Sequence, residues 1–522
     1  MAPIEEETTN HPILSSSSIN VNEDSAAIAA SIKYLPPIQP IQDLLSKQVC
    51  VRCILRLFGV RGTIYSYSSL SPSSLCSAIE KSNSTVENDS NSCSICLGIL
   101  QFCSTSQGEE ISVKKNQVCD FTESIAKIVK REGFQISDFA IEISVPQIIL
   151  DNQTATWLYM RMKYGSEPWF QEQLHVSVKD ALKLSITKSL ETFLDAKYGA
   201  SSFHIHLKYT ENKTLLGNSD SLERNQDHKR RKTGIEDNLN NVAVAEFDNG
   251  EVRVILDSKH DVSTLDQVKE PCLLMCHCYR TPTYIGGRYL KYSRNVSQTR
   301  WIIDDERKGE ASVEEIIGNA VVPLCRGDSY KFHAAGREDI DVRMLGSGRP
   351  FLIEIQNARQ EPSKLSTTVM EDKINNSEDK LVRVRNVKVV GIEGWNLMRE
   401  GETEKQKQYA ALVWISRPLK DEDLQTICSL EDMKILQRTP VRVLHRRSPL
   451  DREKVIHWMK VERIIGSSQY FLLHLCTQAG TYIKEFVHGD LGRTQPSIGS
   501  LLGCRAEILQ LDVTDVKMDY CI

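Results

Sequence analysis

Hydrophobic and polar positions divide the chain into two differently patterned stretches. In the first, FTESIAKIVKREGF (from Phe121) and VSVKDALKLSITKSLETFLDAKYG (from Val176) carry apolar residues at helical spacing, the latter running to a stop at Gly199. SSFHIHLKYT and VAVAEFDNGEVRVIL alternate like strands, with the DNG of the second as a hairpin turn. From about residue 272 strand patterns dominate: RWIID, YKFHAAG, PFLIEIQ, LVRVRNVKVVG, YAALVWIS, TPVRVLHRR, YFLLHLCTQ and RAEILQLDVTDV. Helical patterns fall at EASVEEIIGNAVVPLC, DEDLQTIC and TYIKEFVHGDLG. That order predicts an α+β fold with a large, mostly antiparallel sheet and helices packed on it.

Polar stretches without periodicity punctuate this pattern. Residues 1–35 are Ser-rich and read as disordered; inserts at about 66–92, with one short helical candidate, and at about 211–241 read as loops, as does a shorter one at 375–380. The expected organisation is an N-terminal tail to residue 35, an α+β accessory domain over 36–270, and a second domain over 271–522.

A chain of 522 residues, 40% hydrophobic and 25% charged, can bury the cores of several domains. The net charge of −5 confines any nucleic-acid surface to a local patch. No apolar run is long enough for a membrane span, and the acidic N-terminus lacks the features of a signal or transit peptide, so an intracellular protein, nuclear or cytoplasmic, is expected. Fifteen mostly scattered cysteines suit a reduced chain. Two pairs stand apart, Cys50-Val-Arg-Cys53 and Cys93-Ser-Ile-Cys96: paired CxxC knuckles are the donor set of a closed, structural zinc site. Unrelated buried pairs or a redox CxxC are the alternatives. CLLMCHC, with Cys272, Cys276, His277 and Cys278, has no second half and reads as buried thiols. Lys229, Arg230, Arg231 and Lys232 form either a nuclear-localisation patch or a solvated loop.

The stretch YIGGRYLKYSRNVSQTRW interleaves Tyr284, Tyr289, Tyr292 and Trp301 with Arg288, Lys291, Arg294 and Arg300. Cations for phosphates beside aromatic faces for bases suit RNA contact; an edge strand with a basic face is the alternative. Next comes HAAGREDIDVRMLGSGRPF, in which Arg337, Glu338, Asp339, Asp341 and Arg343 crowd between Gly336 and Gly346. If extended, Asp339 and Asp341 share one face.

These segments resemble, in order, the motifs of pseudouridine synthases: GGRYLKYSRNVSQTRW an opening motif, GREDID the G-R-x-D motif, KQKQYAALVW the K-x-Y-x-A strand, and AGTYIKEFVHGDLGRTQPSIGSLLGCRAEILQLDV the closing motif. With the CxxC pairs and the long N-terminal region, the resemblance is to the archaeal and eukaryotic branch that modifies uridines 54 and 55 in the TΨC arm of tRNA. It implies a synthase catalytic domain behind a zinc-bearing, THUMP-like accessory domain that contacts tRNA.

The resemblance assigns the catalytic carboxylate to Asp339, with Asp341 as internal rival. The cation that keeps it ionised falls at Lys484 and the active-site tyrosine at Tyr409; Arg337 would hold or replace the everted nucleotide. The carboxylate would attack the anomeric carbon or take the C2′ proton to give a glycal. Arg288, Lys291, Arg294, Arg343, Arg442, Arg446 and Arg493 are candidate RNA contacts, with an exposed basic strand the alternative for Arg442, His445, Arg446 and Arg447. A monomeric isomerase using structural zinc and no organic cofactor is expected. A non-catalytic RNA-processing adaptor that keeps the fold is the runner-up, and a zinc-containing DNA-binding regulator the weaker third.

Overall fold

The computed structural model describes residues 35–80, 92–103, 105–106, 116–170, 175–212, 270–445 and 447–520. The predicted hairpin VAVAEFDNGEVRVIL and the basic run Lys229–Lys232 lie outside them. Within them the chain forms two compact units, one running to Tyr279 without residues 133–135, and one made of Gly133–Gln135 and Arg280–Ile522.

The N-terminal unit has a five-stranded sheet of Thr105–Ser106 (β1), Asp138–Ser144 (β2), Lys197–Tyr198 (β3), Phe203–Thr210 (β4) and Leu273–Arg280 (β5), in the order β1-β5-β4-β2-β3. Period-two burial along β2 and β4 places Phe139, Ile141, Phe203, Ile205 and Leu207 in its core. The helix Val178–Leu194 is capped by Ser177, whose hydroxyl accepts from Asp180 N–H. It ends at Asp195, in the left-handed conformation, rather than at Gly199, because the next residues pair as β3. The helical candidate in the 66–92 insert is Pro72–Glu80.

The C-terminal unit opens with Thr283–Lys291 (β6), followed by the short strands Val296–Ser297 (β7), Ile302–Ile303 (β8), Glu306–Arg307 (β9) and Ala311–Ser312 (β10). Then come Ser329–Ala334 (β11), Arg343–Gln356 (β12), Val382–Val390 (β13), Lys407–Ile415 (β14), Glu431–Arg438 (β15), Asp451–Arg463 (β16), Tyr470–Thr477 (β17), Thr494–Gln495 (β18) and Ala506–Val516 (β19). Ten of these make one sheet, ordered β13-β6-β12-β19-β14-β17-β16-β15-β18 with β11 paired to β12. Its pairings are antiparallel except β12 with β19. Helices Val313–Cys325 and Lys364–Asn375 contribute Ile317, Val321, Met370 and Ile374 to a core shared with Ile285, Phe351, Ile353 and Val413.

The TPVRVLHRR segment departs from its strand pattern. Pro440 fixes φ and lacks an N–H, and Val441–Val443 forms a 3₁₀ turn whose Val441 N–H is taken by Asp490. Strands β15 and β16 escape the alternation rule because both of their faces are partly exposed.

The GREDID loop joins β11 to β12 above a buried polar network. Arg349 Nε donates to Glu338 Oε2 at 2.8 Å, both side chains being 1% exposed, and Arg349 Nη1 donates to Ala335 O at 2.8 Å. Tyr289 OH donates to Glu338, while Gln298 Nε2 donates to Tyr289 OH and to Gly336 O at 2.9 Å. Gly336 sits at φ +88°, and a Cβ there would lie 2.7 Å from Lys407 Nζ and 3.0 Å from Arg349 Nη1. Glu338 is therefore an inward anchor, which leaves its neighbour Asp339 to face outward. Removing one member strands a buried charge, so Arg349→Met should lower the free energy of unfolding by about 3–5 kcal/mol in urea melts. Glu338→Leu added to Arg349→Met should recover much of that loss; equal melts for single and double variants would contradict a stranded buried charge as its cause.

Candidate active site

Asp339 and Asp341 lie on the loop that enters β12, and both carboxylates are open to solvent. Two cations from distant segments converge on Asp339 Oδ2: Arg442 Nη1 at 3.2 Å and Lys484 Nζ at 3.3 Å. Lys484 bonds more closely to Asp341, at 2.8 and 3.0 Å to its two oxygens. Burial alone would raise the Asp341 carboxyl, but the Lys484 ammonium outweighs it and holds the pKa below the usual value. Arg442 is oriented from behind by Glu485, whose buried Oε1 accepts from Arg442 Nε at 2.7 Å. Lys484 and Glu485 are adjacent at the start of the helix Ile483–His488, one facing the loop and one facing inward.

The sheet register fixes the rest of the site. Lys291 of β6 pairs with Met344 of β12, Met344 with Val513 of β19, and Val513 with Tyr409 of β14. Strands lie about 4.8 Å apart, so the Tyr409 backbone sits roughly 10 Å across the sheet from Met344. Burial pushes the Tyr409 phenol up to about 12; the nearby Arg349 lowers it and Glu338 raises it, so the ring shares the electrostatic neighbourhood of the loop's anchor. At neutral pH it is an uncharged ring and a hydrogen-bond donor.

The sequence-predicted RNA contacts divide. Arg288 and Lys291 are buried, because β6 lies between β12 and β13 with both faces covered. Arg288 donates to the carbonyls of Ser347, Gly348, Val516 and Met518. Lys291 Nζ donates to Val296 O and Ile340 O at 2.8 Å and lies 3.4 Å from Asp339 O. Burial pulls Lys291 down to about 8, against the opposing pull of Glu338, Asp341 and Asp339. Lys291 therefore braces the loop from below, Arg288 ties β12 to the segment after β19, and neither faces a phosphate.

Arg294 and Arg343 both pair with Asp512, at 2.7 Å and at 2.6–2.9 Å, fastening β12 to β19. Arg294 also donates to Asp341 O at 2.8 Å. Arg493 donates to Thr439 O at 2.7 Å. Arg337 is exposed and has no partner among the described residues. Arg446 lies outside the described residues. Sequence reasoning missed Glu485, which only its place beside Lys484 in IKEF could have suggested.

In the N-terminal unit Cys50, Cys53, Cys93 and Cys96 place their sulfurs within 4.8 Å of one another, which is the donor set for a metal such as zinc. Backbone N–H groups of Cys50 and Leu100 point at Cys93 and Cys96 sulfurs, and the fully buried Arg56 donates to Cys53 Sγ at 3.5 Å. Donors of that kind suit thiolates. Cys276 and Cys278 lie on β5 and Cys272 just before it; Cys272 and Cys278 are buried. No helix among the described residues is long and apolar enough to cross a membrane.

Comparison with known proteins places this geometry in a family. Residues 284–517 match the family model described as Pus10, C-terminal. A protein named tRNA pseudouridine synthase Pus10 from Xenopus laevis is 34% identical over 92% of this chain and 96% of its own length. One of the same name from Homo sapiens is 35% identical over 84% of this chain and 80% of its own, and one from Thermofilum pendens is 38% identical over 45% and 53%. Among solved structures, a Cbf5-Nop10-Gar1 complex matches at TM-score 0.25 and 16% identity over 44% of this chain and 48% of that one. A pseudouridylate synthase matches at TM-score 0.18 and 13% identity over 50% and 77%. Likenesses that loose carry no argument, but the sequence relationships, which extend over nine-tenths of the chain, do: the chain belongs to the Pus10 family of tRNA pseudouridine synthases.

Proposed function

We propose that this chain isomerises uridine to pseudouridine at position 55, position 54 or both in the TΨC arm of tRNA, with Asp339 as its catalytic carboxylate. The observation that carries the reading is the convergence of Arg442 and Lys484 on Asp339 Oδ2, within the segment that matches the family model. Such a carboxylate is flanked by two cations and is exposed enough to meet a ribose. The target base is stacked in the arm and must be everted first, at a cost of a few kcal/mol. Asp339 then attacks C1′ as the N1–C1′ bond breaks, or removes the C2′ proton. The uracil turns and C5 bonds to C1′ as the Asp339–C1′ bond breaks or, on the second route, as the proton returns to C2′; the C5 proton then leaves and N1 takes one up. Tyr409, neutral as a phenol, stacks on the base and donates a hydrogen bond, while the unpartnered Arg337 is free to hold the flipped nucleotide's phosphate or fill the gap it leaves. The N-terminal unit is read as a THUMP-like accessory domain that grips another part of the tRNA and is held together by structural zinc.

Asp339→Asn should release no tritium from uracil-5-labelled tRNA while binding that tRNA within about threefold of wild type, the lost charge acting on chemistry alone. Release by the variant would remove Asp339 from the mechanism, and failure of wild type to release label would favour the adaptor reading.

The Lys484–Asp341 pair has a pH signature. A depressed carboxyl pKa contributes stability in full above the unfolded value of about 3.9 and loses it as pH falls through the lower folded value. The stability gap between wild type and Lys484→Ala should be constant from about pH 5 to 7 and close below about pH 4. A gap that widens on acidification would contradict the pairing.

Purified protein should hold about one zinc per chain. Cys93→Ser should lose it and melt the N-terminal unit at lower temperature, and full zinc content in that variant would exclude the four-cysteine site.

A further inference from the structure

We propose that Arg383 and Arg385, with Tyr292 beside them, bind the phosphodiester backbone of the RNA substrate next to the catalytic loop. β13 is the outermost strand of the sheet and pairs with β6 alone. Its alternation turns Val382 and Val384 into the core and leaves Arg383 and Arg385 exposed on one side, about 7 Å apart. Both arginines line an open cleft of about 370 Å³ with Glu371, Asn375, Asn376 and Val384.

The other polar groups of that cleft are largely engaged. Asn375 exchanges two hydrogen bonds with the Val384 backbone, at 2.8 and 2.9 Å, and Glu371 Oε2 accepts from Val387 N–H at 3.0 Å. The arginines are not so engaged. Arg385 makes one long bond, to Gly346 O at 3.3 Å. Arg383 has no hydrogen bond or ion pair among the described residues, and its guanidinium lies 6.0 Å from the centre of the half-exposed Tyr292 ring. Two cations without carboxylate partners, beside an aromatic face, match a phosphate with its attached base.

The location fits the substrate of the proposed reaction, on which this inference rests. Val382 pairs with Lys291, the residue whose ammonium braces Ile340 O and Asp339 O under the loop. Tyr292 N–H bonds to Leu381 O, and Arg294, two residues on, donates to Asp341 O. The arginines thus begin one residue along β13 from the partner of Lys291 and, by the same alternation, point to the opposite side of the strand from its ammonium, so an RNA arm that meets both passes around this outer edge. The competing account is that charge on an edge strand deters sheet-to-sheet association, which would leave RNA binding untouched.

The test is steady-state kinetics of the full-length chain on unmodified tRNA at several salt concentrations. It compares wild type, Arg383→Gln with Arg385→Gln, and the exposed strand control Lys460→Gln. The double variant should raise KM about tenfold with kcat within about twofold, and its log kcat/KM should fall less steeply with log salt, by about one per arginine. The control should match wild type. Unchanged KM and slope in a double variant with a wild-type melting temperature would overturn the site, as would a fall in kcat alone. If wild type forms no pseudouridine, the enzymatic reading fails by itself; fluorescence anisotropy on the same tRNA then decides the site by the same slope difference.

Discussion

The site depends on keeping a carboxylate exposed to solvent between two cations. Asp339 holds that place because the two cations beside it are themselves fixed from behind. Glu485 holds Arg442, and Asp341 holds Lys484. Neither cation can fold fully onto Asp339 and cover it, since each is shared with a second carboxylate. The arrangement leaves the charges nearly balanced while keeping an oxygen presented to solvent.

Beneath that charge cluster the loop has little freedom. Its alternate residues have opposite fates: Glu338 is buried against Arg349, while Asp339 and Arg337 face out. Gly336 accepts the turn that a side chain would block, and Lys291 clamps the carbonyls of Ile340 and Val296. A buried ion pair of this sort is weak evidence for stability in itself. Its value here is register, because it sets which face of the GREDID segment meets the substrate.

Residue type and spacing carried the motif residues a long way. Asp339, Lys484 and Tyr409 stand in short, chemically distinctive segments, and the four cysteines announce themselves by spacing. What the sequence concealed is burial. Arg288 and Lys291 alternate with tyrosines as a basic RNA surface would, yet β6 is an inner strand, so their charges turn to backbone carbonyls. Arg294 and Arg343 have the composition of phosphate contacts and serve Asp512, a partner about 170 or more residues away. Arg442 sits in a pattern that reads as a strand, and Pro440 with Asp490 converts it to a turn that delivers the guanidinium to Asp339. Pairings between segments so far apart leave no local periodicity to read.

The most direct test of the central claim is a structure of the full chain bound to a TΨC stem-loop carrying 5-fluorouridine at the target position. The account requires the uridine to be out of the stack with its C1′ or C2′ within bonding or contact distance of an Asp339 oxygen, Arg442 and Lys484 still flanking that carboxylate. A target ribose seated against Asp341, or a uridine left stacked with Asp339 facing empty solvent, would contradict it.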